Sequence, residues 1–265
     1  MKPRVLVLRA AGINCDEETA FAFERFGAVS TKVHINELLA GRTSLSEFDL
    51  LAIPGGFSYG DNISGGKVLA IELLHHLKDD LLGLVERGGL VLGICNGFQV
   101  LVKTGLLPGL AEPIGKQEVT LTDNDSNRYE DRWVHVEAVS AGSAFLRQGE
   151  RLALPLAHAE GRYIPGDERI HAELVRTGRV ALRYVTPDGG QRPGFPGNPN
   201  GSFDDVAGLL DRTGRVLGLM PHPERALFRV HHPDWTTGAI DMDSLGGGEG
   251  DGAILFRNAV EHLKG

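Results

Sequence analysis

The chain lacks several features that mark particular classes of protein. It contains only two cysteines in 265 residues, which is too few for the disulfide framework of a small secreted protein. Such cysteine usage favours a reducing compartment, and we expect a cytoplasmic location. No apolar run approaches the roughly 20 residues that span a bilayer. Residues 1–8 form a strand pattern without the longer apolar region of a signal peptide. We therefore expect no membrane partner.

The chain also lacks long basic segments and phosphate-binding motifs. The chain has 27 basic and 35 acidic residues, a net charge of −8, and no long basic block; this excludes an extended nucleic-acid surface. Neither a Walker A loop nor a Gly-x-Gly-x-x-Gly turn occurs in its proper context. The paired histidines at 75–76 and 231–232 point apart and lack the spacing of metal ligands. We expect no metal site and no nucleotide loop.

Glycine, in contrast, is abundant, at 36 of 265 residues, which predicts many tight turns. In the first half, apolar strand patterns alternate with helical patterns. The predicted strands are 4–9, 29–34, 48–53 and 90–94, and the predicted helices are 17–26, 67–77, 80–87 and 96–103. This alternation predicts an α/β fold with a mostly parallel sheet that helices cover on both faces.

The pattern of the second half is one of strands joined by turns. We predict strands at 133–139, 151–156, 170–175, 180–185 and 216–220, and a closing helix at 253–263. Residues 186–202 and 246–252 are rich in Gly, Pro or Asn and are predicted to be loops. These strands favour an added, smaller antiparallel sheet. Since no clear linker divides the chain, we expect residues 1–265 to form a single domain.

The most informative segment is residues 89–99, Gly-Leu-Val-Leu-Gly-Ile-Cys-Asn-Gly-Phe-Gln. An apolar strand leads into a Gly-x-Cys-x-Gly turn and then a helix, which is typical of a nucleophile elbow with cysteine in the serine position. The helix N-terminus favours the thiolate of Cys95. The alternative is a buried structural cysteine. Cys15 lacks such a frame, and we expect it to serve only packing.

A histidine and a carboxylate follow another predicted strand, in residues 221–225, Pro-His-Pro-Glu-Arg. Residues two apart on extended chain share a side, and the flanking prolines favour extended backbone. Glu224 is thus placed to orient the ring of His222 as the base for Cys95. A polar turn without chemistry is the alternative, but the three roles of nucleophile, base and orienter form a complete set.

Backbone N–H groups near this edge complete the predicted site. Residues 54–58, Pro-Gly-Gly-Phe-Ser, follow a strand end, and we predict that the N–H groups of Gly56 and Asn96 form an oxyanion hole. The alternative is a plain strand-to-helix turn.

These motifs occur in series with three others, and the set resembles a known family. The others are residues 12–17 (Gly-Ile-Asn-Cys-Asp-Glu), 157–163 (Ala-His-Ala-Glu-Gly-Arg-Tyr) and 198–202 (Asn-Pro-Asn-Gly-Ser). Together they resemble the class I (triad) glutamine amidotransferases, and within them the glutaminase subunits of phosphoribosylformylglycinamidine (FGAM) synthase. The resemblance extends over about residues 3–228 and implies a flavodoxin-like three-layer sandwich.

The resemblance also implies a mechanism and partners. Cys95 would attack the side-chain amide of glutamine, His222 would move protons, and water would clear the glutamyl thioester. Ammonia would pass to a large synthase subunit, which converts formylglycinamide ribonucleotide (FGAR) to FGAM in purine synthesis, and a small accessory subunit would be a further partner. ATP and Mg²⁺ belong to the large subunit, and this chain needs no cofactor. Phe57 and Gln99 match positions that line the glutamine pocket, and the Asn198, Asn200 and Ser202 loop would face the pocket or the partner.

Two departures from the family pattern and three alternatives stand beside this interpretation. Ala159 replaces an expected glycine, and residues 229–252 form a stretch longer than a minimal member needs. The alternatives are a glutaminase serving a GMP, CTP or anthranilate synthase, a flavodoxin-like thiol hydrolase, and a catalytically silent binding subunit. The 157–163 and 198–202 motifs disfavour a glutaminase that serves another synthase. The late Pro-His-Pro-Glu turn disfavours a thiol hydrolase, and the intact Cys95, His222 and Glu224 disfavour a silent binding subunit.

Overall fold

A computed structural model describes residues 1–110, 114–236 and 248–265. In these ranges the chain forms eleven strands and seven α-helices. The strands are β1 Arg4–Arg9, β2 Val29–His34, β3 Leu50–Ile53, β4 Leu90–Ile94, β5 Val119–Asp123, β6 Glu130–Ala138, β7 Arg151–His158, β8 Glu160–Pro165, β9 Val180–Val185, β10 Val206–Leu210 and β11 Val216–Leu219. The helices are α1 Asp16–Arg25, α2 Ile35–Leu39, α3 Lys67–His76, α4 Lys78–Glu86, α5 Asn96–Thr104, α6 Glu168–Arg176 and α7 Ala253–Lys264.

Nine of the described strands form one mixed sheet in the order β2-β1-β3-β4-β11-β10-β9-β6-β7. The first five are parallel to their neighbours, and the remaining four continue the sheet in antiparallel pairs. Strands β5 and β8 make a separate antiparallel pair. Helix α1 packs with α7, and α3 packs with α5. The predicted α/β class, with a parallel core and added antiparallel strands, is confirmed.

The parallel strands are apolar because both their faces are covered. All of β4 is buried, as are the four central residues of β1, which is typical of parallel strands between helix layers. These strands meet at their carboxyl ends. Pro54 follows β3, Cys95 follows β4, and Met220 follows β11, which pairs in parallel with β4 through Leu219 and Ile94. The sheet thereby brings the predicted site residues to one edge.

The predicted strand at 170–175 is wrong, because this segment belongs to α6. The Asp167 side chain accepts a hydrogen bond from the N–H of Ile170 at 2.8 Å and caps the helix. Within α6 the buried residues His171 and Leu174 lie three apart, on one helical face. The apolar residues that suggest a strand are therefore a helical stripe with an N-cap.

Three described strands, β5, β8 and β10, are absent from the sequence prediction. Residues 186–202 contain neither helix nor strand, which confirms the predicted loop. Of the predicted loop 246–252, residues 246–247 lie outside the described residues, as do residues 237–247 of the unusual stretch 229–252. No helix in the described ranges has both the length and the apolar character needed to cross a membrane.

Candidate active site

The turn at Cys95 has the backbone geometry of a nucleophile elbow. Cys95 lies between β4 and α5 with φ 51° and ψ −104°, a region that side-chain-bearing residues rarely occupy. A Cβ on Gly97 would lie 1.9 Å from the carbonyl oxygen of Ile53, and one on Gly93 would lie 2.6 Å from the carbonyl oxygen of Gly97. The two glycines let the strand and helix cross closely, and the strained residue between them is the predicted nucleophile.

Strand β7, at the end of the described sheet, lies beside the elbow. The Cys95 Sγ atom is 3.7 Å from the carbonyl oxygen of Ala157. Two residues earlier, the carbonyl oxygen of Pro155 accepts a hydrogen bond from the N–H of His222 at 2.7 Å. Residues 155 and 157 point the same way on the strand, so this strand holds both the thiol and the histidine backbone in place.

His222 and Glu224 form a buried pair. The ring Nδ1 of His222 lies 2.6 Å from Glu224 Oε1, and each residue is only 2% exposed. The bond fixes the ring, leaving Nε2 without a hydrogen-bond partner among the described residues. An imidazole whose Nδ1 bonds a carboxylate and whose Nε2 is open has the arrangement of a general base and its orienter.

The pKa of His222 lies well above its ordinary value. Burial alone favours the neutral ring, but the carboxylate of Glu224 and the thiols of Cys95 and Cys15 favour the charged one and outweigh it. The site thus stabilises the protonated ring of His222 next to the predicted nucleophile. A protonated ring is one half of a thiolate–imidazolium pair.

Cys15 is buried, as expected for packing, but it also lies beside this pair. Its Sγ accepts a hydrogen bond from Arg225 Nη2 at 3.0 Å, and burial raises the pKa of its thiol. Nothing in the sequence indicates this contact, because Cys15 and Arg225 are distant in the chain and meet only through the fold.

The loop after β3 and the start of α5 are joined by the Asn96 side chain. Asn96 Oδ1 accepts from the N–H of Ser58 at 3.2 Å, and Asn96 Nδ2 donates to Asp61 at 2.9 Å. Gly56 has φ 141°, and a Cβ there would lie 2.6 Å from the carbonyl oxygen of Gly12. The two predicted oxyanion donors, the N–H groups of Gly56 and Asn96, therefore lie on segments that are tied together.

Gln99 lies in the same network and uses both ends of its amide. Its Oε1 accepts from Asn96 Nδ2 at 2.9 Å, and its Nε2 donates to the carbonyl oxygen of Glu160 at 2.6 Å. The Glu160 side chain pairs with Lys103 Nζ at 2.9 Å and accepts from the N–H of Gly65 at 2.9 Å. Gln99 thus links the elbow helix to the β7–β8 turn, and its contact with glutamine stays a prediction.

The remaining predicted substrate-binding residues divide into two groups. Phe57 is 45% exposed, next to the predicted oxyanion loop. Asn198, Asn200 and Ser202 are buried. The Asn200 amide donates to the carbonyl oxygen of Gly161 at 3.0 Å, and its oxygen accepts from the N–H of Ser202 at 3.0 Å. These three side chains brace the loop against β8, so their role toward glutamine or a partner stays a prediction.

One group of possible metal ligands occurs among the described residues. Donor atoms of Cys15, His222 and Glu224 all lie within 4.8 Å of one another. The guanidinium of Arg225 lies beside the thiol, however, and its positive charge opposes a cation there. His222 and Glu224 belong to the predicted acyl-transfer site, and Cys15 lies beside them.

Comparison with known proteins agrees with this geometry. Residues 2–263 match the family model described as a CobB/CobQ-like glutamine amidotransferase domain. The chain is 42% identical over 261 residues to the phosphoribosylformylglycinamidine synthase subunit PurQ of Dehalococcoides mccartyi, covering 98% of this chain and 97% of that one. It is 41% identical over 270 residues to the subunit of the same name from Methanococcus maripaludis, covering 98% and 97%.

A solved structure shows the same architecture. A chain in the structure of PurLQS from Thermotoga maritima matches with a TM-score of 0.73 and 32% identity, over 99% of this chain and 100% of that one. The resemblance predicted from the motifs is confirmed: the chain belongs to the CobB/CobQ-like glutamine amidotransferase family.

Proposed function

We propose that this chain is the glutaminase subunit of FGAM synthase, acting in purine biosynthesis. The observation that carries the proposal is the buried His222–Glu224 pair, which interacts with the thiol of Cys95 at a turn with strained backbone. The PurQ relatives, with which the chain aligns over nearly its whole length, support FGAM synthase as the enzyme served. The similarity to a chain of PurLQS from Thermotoga maritima supports a multi-subunit assembly.

In the proposed reaction, the Cys95 thiol gives its proton to His222 and attacks the side-chain amide carbon of glutamine. The resulting oxyanion accepts hydrogen bonds from the N–H groups of Gly56 and Asn96. His222 returns the proton to the amide nitrogen, and ammonia leaves as the glutamyl thioester forms. Water, deprotonated by His222, then attacks the thioester and releases glutamate and the free thiol.

The proposal includes the partners. Ammonia passes to a large synthase subunit, which uses ATP and Mg²⁺ to convert FGAR to FGAM, and a small accessory subunit completes the assembly. This chain carries the glutamine chemistry over residues 1–265 as one domain, with no cofactor of its own and no nucleic-acid or membrane partner. A cytoplasmic location is part of the same proposal.

A single substitution tests the proposal. Cys95→Ala in the assembled synthase should abolish FGAM formation from glutamine, while ammonium salts should still support it, because only the nitrogen source has been removed. Cys15→Ser is the matched thiol control and should keep glutamine-dependent activity. Loss of both the glutamine- and ammonium-dependent reactions in Cys95→Ala would show that the thiol is structural. Labelling with a glutamine-mimicking electrophile should modify Cys95 and spare Cys15.

A further inference from the structure

The proposed mechanism leaves one buried thiol unused. Cys15 immediately precedes α1 and is 1% exposed. Its Sγ accepts from Arg225 Nη2 at 3.0 Å and lies 3.3 Å from Asn14 Oδ1, to which it donates. A sulfur that accepts from one side and donates to the other fits a neutral thiol held at a fixed position.

This thiol lies on the Glu224 side of the imidazole. Its Sγ and the nearest donor atoms of His222 and Glu224 lie within 4.8 Å of one another. A Cβ on Gly55 would lie 2.7 Å from His222 Cε1 and 3.2 Å from Cys15 Sγ. The backbone of Gly55 therefore packs against both side chains and keeps the thiol beside the ring.

Arg225 is a potential competitor for the carboxylate that orients the base. It follows Glu224 in the chain and makes one long ion pair with it, in which Arg225 Nε lies 4.0 Å from Glu224 Oε1. Within the described ranges Glu224 Oε2 is buried and has no hydrogen-bond partner. A guanidinium binds a carboxylate best through two parallel hydrogen bonds, so an unrestrained Arg225 would draw Glu224 away from His222.

We propose that Cys15 is a positioning residue that limits Arg225 to this long contact with Glu224, so that the carboxylate keeps its short hydrogen bond to His222. The inference rests on the proposed glutaminase function. Glu18 assists from α1, with its Oε1 3.6 Å from Arg225 Nε. Cys15 affects the reaction through the carboxylate of Glu224 and the ring of His222. Cys15 itself transfers no proton and bonds no substrate.

The restraint has a consequence for pH dependence. If Arg225 binds Glu224 through two short hydrogen bonds, the carboxylate stabilises the imidazolium less, and the pKa of His222 falls. The basic limb of the rate profile, where the imidazolium loses its proton, then moves to lower pH. The charged or titratable groups that interact with His222 are Glu224, Cys95 after β4, Cys15 before α1, His158 on β7 and Tyr129 before β6. Arg225 contacts Glu224, and Glu18 on α1 contacts Arg225.

The test compares four variants in glutamate release by the assembled synthase: Cys15→Ala, Cys15→Ser, Arg225→Ala and the double variant Cys15→Ala/Arg225→Ala. Cys15→Ala should lower kcat about tenfold, as expected for loss of an outer orienting contact, leave KM within about twofold, and move the basic limb to lower pH. Cys15→Ser keeps a hydrogen-bond donor and acceptor at this position and should restore kcat and the position of the basic limb. In an Arg225→Ala background, Cys15→Ala should lower kcat much less, because the competitor is gone and only the direct effect of the thiol on His222 remains.

A second readout needs no substrate. The pH dependence of Cys95 alkylation by iodoacetamide, followed by mass spectrometry, should shift in Cys15→Ala and return in Cys15→Ser. An unshifted profile in both assays, or an equal loss of kcat with and without Arg225, overturns the positioning role. If the wild-type protein releases no glutamate, the proposed function fails, and the alkylation profiles alone decide whether Cys15 positions the pair.

Discussion

Glu224 Oε1 lies 2.6 Å from His222 Nδ1, and both side chains are buried. In the proposed mechanism the two groups have separate roles: the ring of His222 transfers the proton, and the carboxylate of Glu224 orients the ring.

We expect His222→Ala to lower kcat nearly as much as Cys95→Ala, on the order of 10⁴-fold or more, because nucleophile and base act as a unit. Glu224→Gln should lower kcat less, since an amide still bonds the ring but no longer stabilises the imidazolium. Glutamate release at saturating glutamine measures both. A larger loss in Glu224→Gln than in His222→Ala would reverse the two roles.

The isolated chain should be a slow glutaminase, and its synthase partner should raise the rate severalfold or more. Hydrolysis without an acceptor would waste glutamine, and completing the site only in the complex prevents this. Within the predicted loop 186–202, Asn198 to Ser202 are braced by buried hydrogen bonds, so we expect movement to concentrate in residues 187–197.

Glutamate release by the pure chain, titrated with the large subunit, ATP and FGAR, checks the coupling. Hydrogen exchange in the same titration should show new protection in 187–197 and little change in 198–202. A high rate that does not respond to the partner would contradict the coupling and favour a stand-alone hydrolase.

The close crossing at the elbow predicts a stability difference between two glycines. Gly97→Ala would place a Cβ 1.9 Å from the carbonyl oxygen of Ile53, and we expect a loss of about 3 kcal/mol in unfolding free energy through overpacking. Gly83 lies in α4 with no atom within 4 Å of its added Cβ, so Gly83→Ala should stabilise the protein by about 0.5–1 kcal/mol. Urea unfolding of both variants compares them, and equal effects would refute the packing argument.

His158 should make stability depend on pH. Burial lowers its pKa to about 3. Below pH ~6.5 the unfolded chain binds a proton that the native state does not, so stability falls as pH drops from about 6.5 towards 3. The loss is on the order of 4 kcal/mol at the lower end. His158→Gln should flatten this dependence, whereas the exposed His75→Gln should leave it unchanged. The measurement is the free energy of unfolding in urea at several pH values. If this free energy falls equally steeply with decreasing pH in the wild type and in His158→Gln, His158 is not the cause of the pH dependence.

The sequence alone predicts the parallel core well because its strands are short, apolar and bounded by turns. The limits of β1, β2 and β4 match the predicted ranges, as do those of the antiparallel strand β9. The error at 170–175 has a local cause: a short run of apolar residues fits a strand as well as a helix, and the cap that Asp167 supplies decides for the helix.

The sequence indicates the candidate site only where its residues form a local pattern. The elbow around Cys95 and the turn at His222 each carry their own signature in consecutive residues. The positions of Cys15 beside Arg225 and of Gln99 beside Glu160 depend on segments that meet only in the folded sheet, and no spacing in the chain encodes them.

The parallel pairing of β4 with β11 also bears on the order of folding. Val91 pairs with Val216 and Ile94 with Leu219, so the predicted nucleophile and base come together only when the two halves of the chain close the centre of the sheet. Contacts of such long range form slowly, since the intervening chain must be ordered first. During refolding, helical and strand signals should therefore return before the ability to cleave glutamine, and the recovery of glutaminase activity reports the closure of this central pair.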